Sequence, residues 1–91
     1  MDKKSIIESL DNRSTEVFRS LVETYLKTGE PTGSRTLAKS LSEKLSAATV
    51  RNVMQDLENL GLLGSPHTSA GRVPTQTGLR LFVDGLSLIH I

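Results

Sequence analysis

The chain has 91 residues, of which 36% are hydrophobic, 3% aromatic and none cysteine. That suits one small domain with a core of three or four short helices, and it excludes a disulfide framework or a thiolate metal site. No run approaches the roughly 20 apolar residues of a membrane span, residues 1–8 lack the apolar centre of a signal peptide, and the lack of cysteine fits a reducing cytoplasm.

The net charge of +1 does not announce a nucleic-acid binder, but its distribution says more. Residues 1–30 are slightly acidic. Residues 31–55 hold Arg35, Lys39, Lys44 and Arg51 against Glu43 alone, and residues 62–83 hold Arg72 and Arg80 with no acid. This is a local field suited to phosphate.

Residues 1–10 are a lead-in, in which Ile6, Ile7 and Leu10 could form a helical turn. Asp11 or Asn12 caps a first long helix over 12–28, whose apolar set Val17, Phe18, Leu21, Val22, Tyr25 and Leu26 makes one buried stripe. Phe18 and Tyr25 belong to that core, since three aromatics make no base-stacking platform. Gly29 ends the helix and Pro31 follows at the distance usual after a C-cap. Glu30-Pro31-Thr32-Gly33 is a connecting turn. Ser34 caps a second, short helix over about 35–41 with Leu37, Ala38 and Leu41 inward and Arg35, Thr36 and Lys39 directed elsewhere. Ser42-Glu43-Lys44-Leu45 is a short turn, and Leu45 is placed to staple onto Val50.

Ser46 to Gly61 opens with a capping residue and closes on a glycine stop, framing a helix of about four turns. Val50, Val53, Met54, Leu57 and Leu60 share one face. The opposite face carries Ala48, Arg51, Asn52 and Gln55. It has little apolar bulk and offers a guanidinium and two amides, the groups that read guanine and adenine edges in a DNA major groove. Two helices joined by a short turn, the second with a polar exposed face, make a helix-turn-helix.

After Gly61, residues 62–65 and 72–74 are short extended segments around a loop of about six residues, which reads as a β-hairpin. Pro74 cannot donate to a ladder, so its strand is an edge or ends there. Thr75 caps a last helix over about 76–86 with Leu79, Phe82, Val83 and Leu86 inward. Gly78 weakens that helix by about 1 kcal/mol relative to alanine, which points to close packing at this position. A hairpin directly after a helix-turn-helix is a wing. The fold class is therefore mainly α, a winged helix-turn-helix of three helices, a β-hairpin wing and a C-terminal helix, occupying residues 11–86 between the lead-in and a tail at 87–91.

The runs Gly29-Glu30-Pro31-Thr32-Gly33-Ser34-Arg35-Thr36-Leu37-Ala38, Leu45 to Glu58, Gly61-Leu62-Leu63 and Pro66-His67-Thr68-Ser69-Ala70-Gly71-Arg72-Val73-Pro74-Thr75 resemble the N-terminal DNA-binding domain of the heat-inducible transcription repressor HrcA family. The resemblance spans residues 10–85, and the run from Pro66 to Thr75 is far more specific than a generic winged helix would share. It implies a bacterial repressor that binds an inverted-repeat operator upstream of chaperonin genes, acting as a homodimer that the chaperonin helps keep active. It also implies a protein several times longer, with a central regulatory domain and dimerisation segments. The chain is then a fragment, a truncated product or a short homologue. Without those segments it is expected to be mainly monomeric and to bind half-sites weakly.

The expected contacts follow from side-chain chemistry. Arg51 can fork onto guanine O6 and N7, and its alternative is a surface salt bridge with Asp56 or Glu58. Asn52 and Gln55 suit adenine. Ser46, Ala47 and Thr49 lie at the helix N-terminus, where free N–H groups favour phosphate, and Thr49 could also touch a thymine methyl. In the wing, His67, Thr68, Ser69, Gly71 and Arg72 offer hydroxyls, backbone amides and a cation to the backbone or minor groove; the alternative is a mobile polar loop. Ser34, Arg35 and Lys39 are phosphate contacts that position the domain. No catalytic set, cofactor loop or metal cluster is present. The alternative function is a winged-helix module that binds protein rather than specific DNA.

Overall fold

The computed structural model describes residues 11–41, 44–66 and 71–86. The lead-in at 1–10, Ser42 and Glu43, the wing residues His67, Thr68, Ser69 and Ala70, and the tail at 87–91 lie outside the described residues.

Helix α1 spans Asn12–Thr28. It starts where Asp11 Oδ1 accepts the Ser14 N–H at 2.7 Å, an N-cap that satisfies one of the free donors of the first turn. It ends at Gly29, whose φ of +71° lets its N–H reach the Tyr25 carbonyl at 2.7 Å. Val17, Phe18, Leu21 and Val22 are fully buried. The expected stripe stops there. Tyr25 is half-buried and Leu26 is 61% exposed, so the last turn adds no fully buried residue to the stripe.

Helix α2 spans Ser34–Ser40, one residue earlier than its spacing suggests. Its cap is the extended Gly33, with no side-chain bond, rather than Ser34. The Leu37 N–H donates to the Gly33 carbonyl at 3.0 Å, so the helical ladder begins at Gly33 and Ser34 is already inside it. Leu37 is buried, with Ala38 and Leu41 packed at the edge of the core.

Helix α3 spans Ala47–Asn59 and is capped by Ser46, whose Oγ accepts the Thr49 N–H at 3.1 Å. Its end is a Schellman turn: the Gly61 N–H donates to the Glu58 carbonyl and the Leu62 N–H to the Leu57 carbonyl. Gly61, at φ +82°, takes the left-handed position that this turn needs. Val50, Val53, Met54 and Leu57 face the core. Leu60 does not join them; it sits at the C-cap, 36% exposed, where the chain leaves the helix.

Strands β1 (Leu63–Gly64) and β2 (Val73–Pro74) pair antiparallel, Leu63 opposite Pro74 and Gly64 opposite Val73. β2 ends at Pro74, as a residue without a donor requires. The Thr75 N–H then carries the pairing on to the Leu62 carbonyl at 3.0 Å. One pairing is absent from the sequence reading: Thr32, expected only in a connecting turn, is buried and exchanges two backbone hydrogen bonds with Arg72, at 3.0 and 2.9 Å. The connection between α1 and α2 thus supplies a third, one-residue rung to the wing stem.

Helix α4 spans Gln76–Leu81 and continues as a wider π-helical turn over Phe82–Leu86. Thr75 caps it, accepting the Gly78 N–H at 3.0 Å while donating to the Gly61 carbonyl at 2.6 Å. The inward face differs from the expected one. Gly78, Leu81 and Phe82 are buried, Leu79 packs at the edge, and Val83 is 56% exposed; the side chain of Leu86 is outside the described residues. Gly78 explains the change. Its missing side chain lets α4 approach until a Cβ there would collide with the Leu62 carbonyl, so the helix turns this bare position inward. The core that results holds α1, α2 and α3 together with β1, α4 and the start of the π turn, and it leaves the far side of α3 uncovered.

Candidate nucleic-acid interface

The uncovered side of α3 is the centre of the site. Ala48, Arg51, Asn52 and Gln55 are all exposed, while Val50, Val53, Met54 and Leu57 on the other side are buried. Burying those four aliphatic side chains fixes the helix's rotation, and so the direction of its polar face. Each would cost about 2–5 kcal/mol to truncate to alanine in a well-packed core.

Charge is graded along the helix. Arg51 is the one charged residue between Ala47 and Gln55, and the acids Asp56 and Glu58 come only at the C-terminal end. An N-terminal half free of acid, with unpaired N–H groups and the positive end of the helix dipole, suits a polyanion. Arg51 has no hydrogen bond or ion pair with any described residue, so the expected alternative with Asp56 or Glu58 is not formed. Glu58 is engaged elsewhere: its Oε1 accepts the Arg72 Nε–H at 2.8 Å.

The remaining α3 residues are partly engaged. The Ser46 hydroxyl caps the helix and also donates to Thr49 Oγ1 at 2.9 Å, so both hydroxyls are tied into the first turn. Thr49 and Ala47 are half-buried. Gln55 Nε2 donates to Asn59 Oδ1 at 3.2 Å, an exposed pair one turn apart that yields readily to a better partner. On α2, Arg35 and Lys39 are exposed and Ser34 is half-buried at the first helical position.

Of the expected wing contacts, Gly71 and Arg72 are described. Gly71, at φ +96°, is pressed so closely on the Thr32–Gly33 backbone that an added Cβ would lie 2.6 Å from the Thr32 carbonyl. This fixes Gly71 as a backbone requirement. Arg72 is half-buried, with its Nε on Glu58 and its Nη1 3.4 Å from the Gly71 carbonyl. His67, Thr68 and Ser69 lie outside the described residues. Glu58 and Thr32, which anchor the wing stem, were not among the expected site residues. Nothing in local spacing links position 58 to 72, or 32 to 72; only the folded hairpin brings them together.

Among the described residues no three His, Asp or Glu side chains come together to hold a metal, and no helix is long and apolar enough to cross a membrane.

Comparison with known proteins bears on this geometry. Residues 9–83 match the family described as "Winged helix-turn-helix transcription repressor, HrcA DNA-binding". The heat-inducible transcription repressor HrcA of Sinorhizobium fredii is 65% identical over 83 residues, 91% of this chain and 23% of the relative. The protein of the same name from Agrobacterium fabrum is 68% identical over 75 residues, 82% of this chain and 21% of the relative. A crystal structure described as that of a hypothetical protein superposes with a TM-score of 0.83 at 36% identity, covering 91% of this chain and 27% of that one. The chain spans under a quarter of the length of the two curated relatives.

Proposed function

This chain belongs to the HrcA winged helix-turn-helix family, as its DNA-binding domain, and we propose that it reads an inverted-repeat operator for a bacterial repressor of heat-shock (chaperone) genes. The observation that carries this reading is the polar face of α3, exposed because its other face is locked in the core. Arg51 meets guanine as a two-donor fork, Asn52 and Gln55 meet adenine edges, and Ala48 leaves room for the helix to enter the groove. Ser46, Ala47 and Thr49 bring the helix N-terminus to a phosphate. Ser34, Arg35 and Lys39 hold the backbone from α2, and the wing residues His67, Thr68 and Ser69 reach the flanking backbone or minor groove. The domain is residues 11–86, with 1–10 as lead-in and 87–91 as tail.

In the whole protein two such domains act as a homodimer on two half-sites, spaced so that both α3 helices face the same side of the duplex. The repressor works on the chromosome in the cytoplasm, and the chaperonin keeps it active. The relatives share a repressor's name and give no support to a module that binds protein alone. Methylation protection tests the geometry, because the probe attacks guanine N7 in the major groove. The expected result is protected guanines within each half-site. Binding with every guanine N7 still reactive contradicts α3 in the major groove.

A further inference from the structure

The wing stem is held by more than its own two rungs. At one end the Arg72 backbone exchanges both hydrogen bonds with Thr32, between α1 and α2. Beside it Gly71 lies against Thr32 and Gly33 too closely for any side chain. At the other end Thr75 ties the strand to Gly61 and Leu62, at the exit of α3. Between these anchors the Arg72 side chain crosses to α3 and pairs with Glu58 at 2.8 Å. The two side chains are only 22% and 30% exposed, so the pair is partly shielded from water and holds its geometry better than a surface pair does. It is the one salt bridge joining the wing to α3 among the described residues.

This arrangement gives part of the Arg72 guanidinium a role away from phosphate. A guanidinium that meets phosphate presents its fork to solvent. Here Nε is committed to a carboxylate and Nη1 leans on a backbone carbonyl. A carboxylate on a DNA-reading helix is also unfavourable next to a polyanion unless a cation neutralises it. Arg72 neutralises Glu58 and ties the base of the wing to the reading helix.

We propose that the Arg72–Glu58 pair is a positioning device for DNA binding: Arg72 acts through Glu58 to hold the wing against the duplex at a fixed angle to α3, rather than by contacting phosphate itself. This rests on the DNA-binding reading above, and wild-type binding to the operator tests that reading separately.

The experiment compares wild type, Glu58→Gln, Arg72→Gln, the double glutamine variant and the charge swap Glu58→Arg with Arg72→Glu. Affinity for the operator duplex is measured across a salt series, at a temperature where circular dichroism shows each variant folded. Hydroxyl-radical footprinting reads the flanking backbone and methylation protection reads the half-site. Each single variant is expected to lose about three- to tenfold in affinity, with the same small reduction in salt slope in both as the wing gives up backbone contacts. The double variant should be no worse than either single one, as for residues that act as a unit, and the swap should recover most of the loss. The flanking footprint should weaken while guanine protection within the half-site persists. That split separates positioning of the wing from a general loss of stability, which would weaken both. The proposal is overturned if Glu58→Gln binds as well as wild type or better. It is overturned equally if Arg72→Gln lowers the salt slope by about one phosphate contact more than Glu58→Gln does, or if both footprints fade together.

Discussion

Arg51 and Lys39 are both exposed cations, yet they stand on different helices and are expected to fail differently when removed. Arg51→Ala should relax sequence preference at one position, at a cost of about 1–3 kcal/mol in discrimination. Lys39→Ala should weaken binding to all duplexes alike and reduce the salt slope by about 0.9. Competition among duplexes with single base changes, repeated across a salt series, checks both. Equal loss on every sequence from Arg51→Ala would show that it touches backbone only. Gly78 makes a different residue-scale case. Helix propensity alone says that Gly78→Ala stabilises by about 1 kcal/mol. The Leu62 carbonyl lies where the new methyl would go, so a net destabilisation of about 1–3 kcal/mol is expected in urea unfolding. The sequence hinted at this contact, because a glycine in a helical pattern is tolerated only for a reason. It could not say that Gly78 would turn inward and take Val83 out to solvent.

At the scale of elements, caps and glycine stops are the most legible features, because each is a local interaction written within five residues. Asp11, Ser46 and Thr75 open their helices, and Gly29 and Gly61 end theirs, as their types suggest. Ser34 does not, since Gly33 one residue earlier already takes the extended cap conformation. Ser46→Ala should cost about 0.5–2 kcal/mol, and, because this cap orders the N-terminal turn of α3, it should lower both melting temperature and DNA affinity. Asp11 gives a pH signature. The Ser14 backbone N–H, then its hydroxyl, stabilises the Asp11 carboxylate and lowers its pKa from the ordinary 3.8. A lowered folded-state pKa means that this stabilisation is fully present above the unfolded value and is lost as pH falls through the folded one. The stability difference between wild type and Asp11→Asn should therefore be constant from neutral pH to about pH 5 and narrow below it. A difference that widens on acidification would contradict the cap. The rung between Thr32 and Arg72 was illegible by the same logic, because it joins residues forty positions apart with no local periodicity on the α1–α2 connection to betray it.

For the whole molecule, the order of helices and hairpin was readable because each element has its own signal, and the wing after the third helix leaves few other ways to bury the apolar faces. The orientation of that wing was not, since it depends on Gly71, Arg72 and Glu58 meeting across the fold. The curated relatives are more than four times the matched length. By itself the 91-residue chain should sediment as a monomer at micromolar concentration and bind an isolated half-site nearly as well, per domain, as a full inverted repeat. A tight dimer in sedimentation would mean that the dimer contact lies within these residues. Whether the exposed face of α3 makes this a sequence-specific DNA-binding domain is decided by titrating the folded chain against an inverted-repeat operator duplex and the same duplex scrambled, from low to physiological salt. Binding should be tighter to the operator at every salt, with both affinities falling at a slope of about −0.9 per phosphate contact. Equal affinity for the two duplexes, or no binding at low salt, would contradict it.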